Sequence, residues 1–353
     1  MIVVLFVFLF FVVSTYAQNI VNKSTRMNVL YMLFFILALI AGSRGLDFSD
    51  TSAYSYAFQN EAPTLANYSI LSKSMYYDES GFFLLAVLVK TFTSSPRAYL
   101  IVVALITMFI MCVNDKKYSI YPFVGLCVYV ARFYMGRDFI QIRASISYAI
   151  LFWAIQYIYE KKIVLYFLWV FIAYQFHHSA VVAVPLYFLC NWIEFKKWHI
   201  VVGLIIAFII GGAYPDVVRM YVEDNASDLN ISGDYVTGGT QAYVEGKGLL
   251  NPLIYFQCAI LLLYTYYEEL LAPQNKYYYV LRTGYFYSTL ILIIFCTYAV
   301  LSGRTATIYA TLEMAIIPSL LGITKKSDRS YAYFAIGVAL TGIFYMNYLS
   351  VFK

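Results

Sequence analysis

The sequence predicts an all-α protein that crosses a lipid bilayer many times. Three observations carry this. Of its 353 residues, 62% are hydrophobic and only 12% are charged, with a mean hydropathy of +0.71. A soluble chain of this length cannot hide that much apolar surface in one core. Apolar runs long enough to span a bilayer recur from end to end. Longer polar stretches occur at only two places, 44–80 and 215–248, the second rich in Gly, Asp and Asn.

The elements follow in order. The first run, MIVVLFVFLFFVVSTYA, has no basic leader and no clean small-residue cleavage site. It reads as a retained span, not a signal peptide, with Met27 as an alternative start. A second span covers 28–43 and ends against Arg44. After the polar stretch 44–80 comes GFFLLAVLVKTFT at 81–93, too short to cross comfortably. Spans are then expected near 98–114, 118–135, 140–159, 163–177, 179–193 and 199–214, joined by short loops. The stretch 215–248 interrupts the series, and spans near 249–267, 277–301, 304–323 and 331–351 complete it. That is about twelve transmembrane helices. No heptads, low-complexity tail or second soluble domain interrupt them, so 1–353 reads as a single integral membrane domain.

Orientation follows the lysines and arginines, which collect on the inner side. Lys161 and Lys162, Lys196 and Lys197, and Lys325, Lys326 and Arg329 mark three inner loops. Lys23 and Arg26 place the first connection inside as well. Loops 44–80 and 215–248 are then outer loops, and the acids of 215–248 outnumber its bases. If 81–93 crossed fully, Lys116 and Lys117 would land outside and every later loop would invert. A re-entrant or half-inserted 81–93 with both ends outside removes the conflict, and such segments are tolerated where they line a cavity. The connection RFYMGRDFIQIR, His177, His178 and Arg304 then face out. That many outward arginines need a reason other than topology.

Several residues there have the right chemistry for a site. Arg137 and Arg143, with Gln141 between them, lie about 120° apart on a helix. Near the membrane boundary they suit a phosphate, which accepts bidentate, charge-assisted bonds. The alternatives are snorkelling interface arginines, with Arg137 paired to Asp138. Arg44 ends a span, and Asp47, Asp50 and Tyr54 follow it. These can bind sugar hydroxyls or supply a base, or form a turn with Asp50 as a helix cap. Asp78 and Glu79 precede the short segment, where a helix N-terminus also favours acids. His177 and His178 sit at the mouth of a span, where an imidazole can exchange a proton with a hydroxyl or donate to a phosphate, or simply be a hydrogen-bonded structural group. Glu313, well inside a span, requires a partner or a neutralising proton.

Other classes find little support. The net charge of +5 comes from scattered bases with no basic run, which does not point to nucleic acid. Cys112, Cys127, Cys190, Cys258 and Cys296 lie in or beside apolar segments at no metal-ligand spacing. There is no HExxH, Walker, dinucleotide-binding or GxSxG pattern, so no metal and no cofactor is expected. Tyrosine is unusually frequent, at 37 residues. Beyond an interfacial belt, such rings can stack on sugars.

The ordered series Arg44, Asp47 and Tyr54, then Glu79-x-Gly81-Phe82, then RDFIQIRASIS with Arg143, then Phe176-His177-His178-Ser179-Ala180, resembles the EpsG group of Wzy-type polysaccharide polymerases. Ala144 and Ser145 stand where the family pattern continues with Gln. The resemblance implies a metal-independent glycosyltransferase of multi-span, GT-C-like architecture in the bacterial plasma (inner) membrane, with its site towards the outer face. Its implied substrates are undecaprenyl-pyrophosphate-linked oligosaccharide repeats, as donor and as acceptor, with a chain-length regulator as a further partner. It implies His177, Asp47 and Glu79 as catalytic candidates. Arg44, Asp50, Tyr54, Arg137, Gln141, Arg143, His178 and Arg304 become candidates for substrate binding. The competing readings are a lipid-linked oligosaccharide flippase and a membrane O-acyltransferase of surface glycans. A flippase needs polar groups along a path open to each side in turn, whereas here they crowd towards one face.

Overall fold

The computed structural model describes residues 2–20, 22–46, 50–69, 79–224 and 246–352, and every regular element among them is helical. In chain order these are α1 (Ile2–Ile20), α2 (Lys23–Gly42), α3 (Thr51–Asn60), α4 (Ser80–Phe92), α5 (Pro96–Tyr118), α6 (Pro122–Tyr129), α7 (Met135–Asp138), α8 (Ile142–Tyr159) and α9 (Ile163–Tyr174). They continue with α10 (Val184–Trp192), α11 (Lys197–Ala213), α12 (Pro215–Asp224), α13 (Pro252–Tyr266), α14 (Glu268–Leu271), α15 (Tyr278–Ile294), α16 (Ala299–Ala310), α17 (Glu313–Ser319) and α18 (Arg329–Phe352). They form two compact units, one of residues 1–157, 162–181 and 313–353, the other of 158–161 and 182–312.

Among the described residues, three helices are long and apolar enough to cross a membrane: Ser24–Gly42, Pro96–Tyr118 and Lys326–Leu349. Val7–Ala17, Ile163–Tyr174, Lys197–Ala213 and Pro252–Tyr266 are apolar but shorter. Large apolar side chains point outward along α2 and α18, with Met32, Phe35 and Ile40 half exposed and Met346 more so. Such faces suit lipid and not water.

In the first unit α2 and α5 run antiparallel. Gly42 lies against Ile101 at one end, and the Lys116 ammonium donates to the Tyr31 hydroxyl at the other, 3.2 Å away. A Cβ on Gly42 would come within 2.6 Å of the Ile101 Cα, so only glycine permits this approach. Each helix has a local start signal. Asn22 Oδ1 accepts from the Thr25 N–H at 2.9 Å, and Ser95 caps α5 ahead of Pro96 at its first turn.

The short segment expected near 81–93 is α4, thirteen residues or about 20 Å long, less than the roughly 30 Å hydrocarbon core. It packs on α3 and α5 through Tyr54, Phe58, Phe82 and Tyr99, with Phe58 and Tyr99 stacked at 4.7 Å. Lys90 reaches back to the Phe58 and Gln59 carbonyls at 3.1 and 3.0 Å, which satisfies the open end of α3.

Several expected spans are corrected, among them 304–323, which is bent by 52° between Ala310 and Glu313. The helix expected at 118–135 starts at Pro122 and runs through a π-helical turn, Val130–Tyr134, into α7. Asn347 from α18 donates to the Ala131 carbonyl freed there, at 2.7 Å. The span expected at 277–301 stops at Ile294, and the chain restarts at Ala299. Between them the Thr297 carbonyl accepts from the Gly246 N–H at 2.6 Å, a bond that the helix would have consumed.

The partner that Glu313 requires is Arg132. Its Nε and Nη2 donate to the two carboxylate oxygens at 2.8 and 3.2 Å. This also explains Arg132, whose place in the sequence had suggested an outward role. Glu313 is fully buried, so Glu313→Ala strands a guanidinium and should cost about 3–5 kcal/mol. Thermal unfolding of the purified protein reads this, and Arg132→Met with Glu313→Leu should recover most of it.

Unit-one charges are polarised along the helices. Lys117 hydrogen-bonds Gln156 at the far end of α8, and Arg329 lies over Tyr121 at the start of α6. The other end of α8 carries Arg143, and the other end of α2 leads to Arg44.

Candidate functional site

Arg143 lies in the first turn of α8, with its side chain 26% exposed. Its Nη1 donates to Glu79 Oε2 at 2.5 Å and its Nε to the Tyr54 hydroxyl at 3.3 Å. Nη2 takes part in neither bond. Glu79 is the residue that precedes α4, and it is buried. Burial pushes the Tyr54 phenol above its ordinary range, against a lesser opposing pull from Arg143, so it acts as a neutral hydroxyl. Three segments far apart in the chain thus meet at one half-open guanidinium.

The backbone that positions Glu79 is tied to the segment carrying the histidines. Gly81 N–H donates to the Gln175 carbonyl at 2.8 Å, and Ser80 Oγ donates to Gln175 Oε1 at 2.7 Å. A Cβ on Gly81 would meet the Gln175 Cβ and backbone carbonyl oxygen at 2.7 and 2.8 Å, which explains a glycine two residues after the glutamate.

His177 follows the end of α9. Its Nδ1 receives the Ser179 backbone N–H at 3.2 Å and lies 2.7 Å from Ser179 Oγ. A ring nitrogen that accepts a backbone N–H carries a lone pair, so the neutral ring bears its proton on Nε2. Ser179 Oγ is in turn 3.1 Å from the Tyr148 hydroxyl, and the Tyr148 ring lies under the Arg137 guanidinium at 5.1 Å. His178 packs on Tyr174 with ring centroids 4.9 Å apart and the planes tilted by 35°.

Arg137 is 4% exposed and is held between Tyr148 and the Phe133 ring, 4.3 Å away. Arg44 is also buried. Its Nε donates to Thr51 Oγ1 at 2.8 Å, and its Nη1 to the Ala41 and Asp138 carbonyls at 2.7 and 3.3 Å. Among the described residues its Nη2 has no partner, and the side chain borders a narrow cavity shared with Thr107, Asp138 and Ser145. Asp138, which sequence reasoning considered only beside Arg137, accepts from Tyr129 and Ser145 at 2.7 and 2.8 Å. It pins the start of α8 and with it Arg143. The only sequence signal for this is the spacing of Asp138 and Ser145 across the helix start.

Asp50 occupies the cap position of α3 but makes no side-chain cap bond, so the capping alternative is not realised. Gln141 is half-buried, and its carbonyl accepts from Ser145 N–H at 2.8 Å in the first turn of α8. Asp47 lies outside the described residues. Arg304 belongs to α16 of the second unit. The five cysteines are free, four of them buried.

The Arg143 cluster can hold an anion and offer a carboxylate beside it, and His177, on the segment tied to that cluster through Gln175, can donate a proton from Nε2. Amylovoran biosynthesis protein AmsC of Erwinia amylovora is 22% identical over 293 residues, which cover 81% of this chain and 77% of that protein. No solved structure matches the chain. The sequence profile of the EpsG family matches residues 27–353, nearly the whole length. The chain is therefore a member of the EpsG family.

Proposed function

We propose that this protein is a polysaccharide polymerase that joins undecaprenyl-pyrophosphate-linked oligosaccharide repeats at the outer face of the bacterial plasma membrane. The observation that carries the reading is the Arg143–Glu79–Tyr54 cluster, a half-exposed guanidinium paired with a carboxylate. It stands at the end of α8 remote from Lys117, and lysine-rich ends face inward. The family match and a relative named for amylovoran biosynthesis agree with it. About twelve crossings, some by helices that are short or broken, and a half-inserted α4 belong to the same proposal. So does a GT-C-like arrangement.

In this reaction an acceptor sugar hydroxyl attacks the anomeric carbon of the donor glycan. The new C–O bond forms as the bond to pyrophosphate breaks, and the pyrophosphate leaves with the electron pair. Arg143 stabilises that developing charge through its fork. An arriving pyrophosphate competes with Glu79 for Arg143. The carboxylate so released takes the hydroxyl proton. His177 donates Nε2–H to a phosphate or acceptor oxygen.

His177→Gln, which keeps a side-chain N–H, should retain substantial activity and leave any acidic limb of the pH profile in place. A loss of roughly 10²–10⁴-fold with disappearance of that limb would instead make His177 the base. Orientation is tested by cysteines at Ser227 and Lys162, which should label from opposite sides of intact cells; labelling of both from one side contradicts it. The function itself is tested by the lipid-linked glycans of a deletion strain. Single repeats should accumulate on the outer leaflet. Retention inside would indicate flipping, and full-length but unacylated glycan would indicate acyl transfer.

A further inference from the structure

The second unit carries a cavity that the proposed reaction does not use. It measures about 450 Å³ and opens between the segment after α10, the N-terminus of α11, α14 and the N-terminus of α15. Three cations line it, Lys196, Lys197 and Arg282, against two carboxylates, Glu194 and Glu268. Arg282 is 2% exposed. Its Nη1 donates to Glu268 at 2.6 Å, its Nη2 donates to the Phe195 carbonyl, and its buried Nε has no hydrogen-bond partner among the described residues. The Tyr279 hydroxyl occupies the other Glu268 oxygen at 3.1 Å. Glu268 is thus consumed by Arg282 and Tyr279 and does not face a ligand as a bare charge.

The lysines remain. Lys197 lies 3.4 Å from Glu269, and both are largely exposed, a pairing worth little. Lys196 makes no ion pair among the described residues. The first turns of α11 and α15, each seventeen residues long, contain no acid. Their N-termini therefore add positive dipole ends beside the cavity, although the N–H groups of the cap residues Lys196 and Tyr277 are already taken by His199 Nδ1 and Asn275 Oδ1. Exposed Glu194 offsets part of this charge; what the lining offers an anion is the pair of mobile ammonium groups and the open Arg282 Nε.

The rim indicates where that anion comes from. Trp192 is 76% exposed, and Trp198, Tyr279 and Ile193 are exposed beside it. Amphipathic rings at the end of apolar helices mark headgroup depth. Basic pockets between helices at that depth suit anionic lipid headgroups. We propose that this cavity binds the phosphate of an anionic phospholipid from the leaflet at the lysine-rich end of the second unit. It rests on the reading that the helices cross a bilayer, but not on the polymerase chemistry.

The test is thermal unfolding of the full-length protein in a neutral detergent. Dioleoylphosphatidylglycerol, dioleoylphosphatidylcholine or inorganic phosphate is titrated in. Phosphatidylglycerol should raise the melting temperature at concentrations well below those phosphatidylcholine needs. Lys196→Gln and Lys197→Gln, both on the surface, should each raise the half-saturating concentration about fivefold. Lys325→Gln with Lys326→Gln, in the other unit, should leave it unchanged. An equal response to the two lipids overturns the proposal. So does an equal loss in both lysine pairs, which would mean general surface attraction. Protection by inorganic phosphate as strong as that by phosphatidylglycerol would assign the cavity to a soluble anion and overturn the lipid assignment. Because sidedness and substrate play no part in this assay, its failure leaves the polymerase reading untouched.

Discussion

Arg143→Ala is expected to lower polymerisation by about 10²–10³-fold at normal protein level, the usual cost of losing one well-placed donor to a developing negative charge. The guanidinium is half-buried and already anchored through Nε and Nη1, so its fork arrives at the substrate pre-oriented. Arg143→Lys keeps the charge but not the fork. It should remain well below the wild type, and the loss should fall on turnover more than on KM. Quantifying polymer per lipid-linked repeat consumed checks this. Full activity in Arg143→Ala would remove the residue from the site.

Glu79→Gln should be about as damaging, roughly 10²–10⁴-fold in turnover, if the carboxylate takes the acceptor proton. The substitution is isosteric and can still accept a hydrogen bond from Arg143, so folding and donor binding should survive. An unchanged melting temperature and near-normal KM, alongside lost turnover, are the expected signature. A normal rate in Glu79→Gln would leave the carboxylate with a structural role, holding Arg143 until substrate arrives. The proton would then pass to Asp47 or to water.

The two variants concern residues that the sequence singles out, yet their contact was not legible in it. Glu79 and Arg143 are separated by 64 positions, and nothing in either local pattern requires them to touch. What could be read was local. The acid before the short segment could be read as a helix-terminal carboxylate, but the close approach of Gly81 to Gln175 that fixes its backbone could not. The histidines at the end of a span announced a polar joint, which proves to be the His177–Ser179–Tyr148 chain. Glu313 announced a buried partner but not that it was Arg132, 181 residues earlier. Membrane character followed from composition, because apolar content needs no tertiary information. Helix boundaries were less accessible. The run from Tyr285 to Leu301 carries no charged residue, and hydropathy cannot register that Thr297 bonds Gly246. Nor does any local signal reveal the π-helical turn that Asn347 satisfies from the far end of the chain.

Reconstitution of the purified protein in liposomes with a chemically defined undecaprenyl-pyrophosphate-linked repeat addresses the central claim most directly. Glycans should lengthen by whole repeats, with one undecaprenyl pyrophosphate released for each linkage formed and no loss of rate when a metal chelator is added. Repeats that cross the bilayer or are consumed without a longer glycan, or chain growth without release of the lipid pyrophosphate, would contradict it.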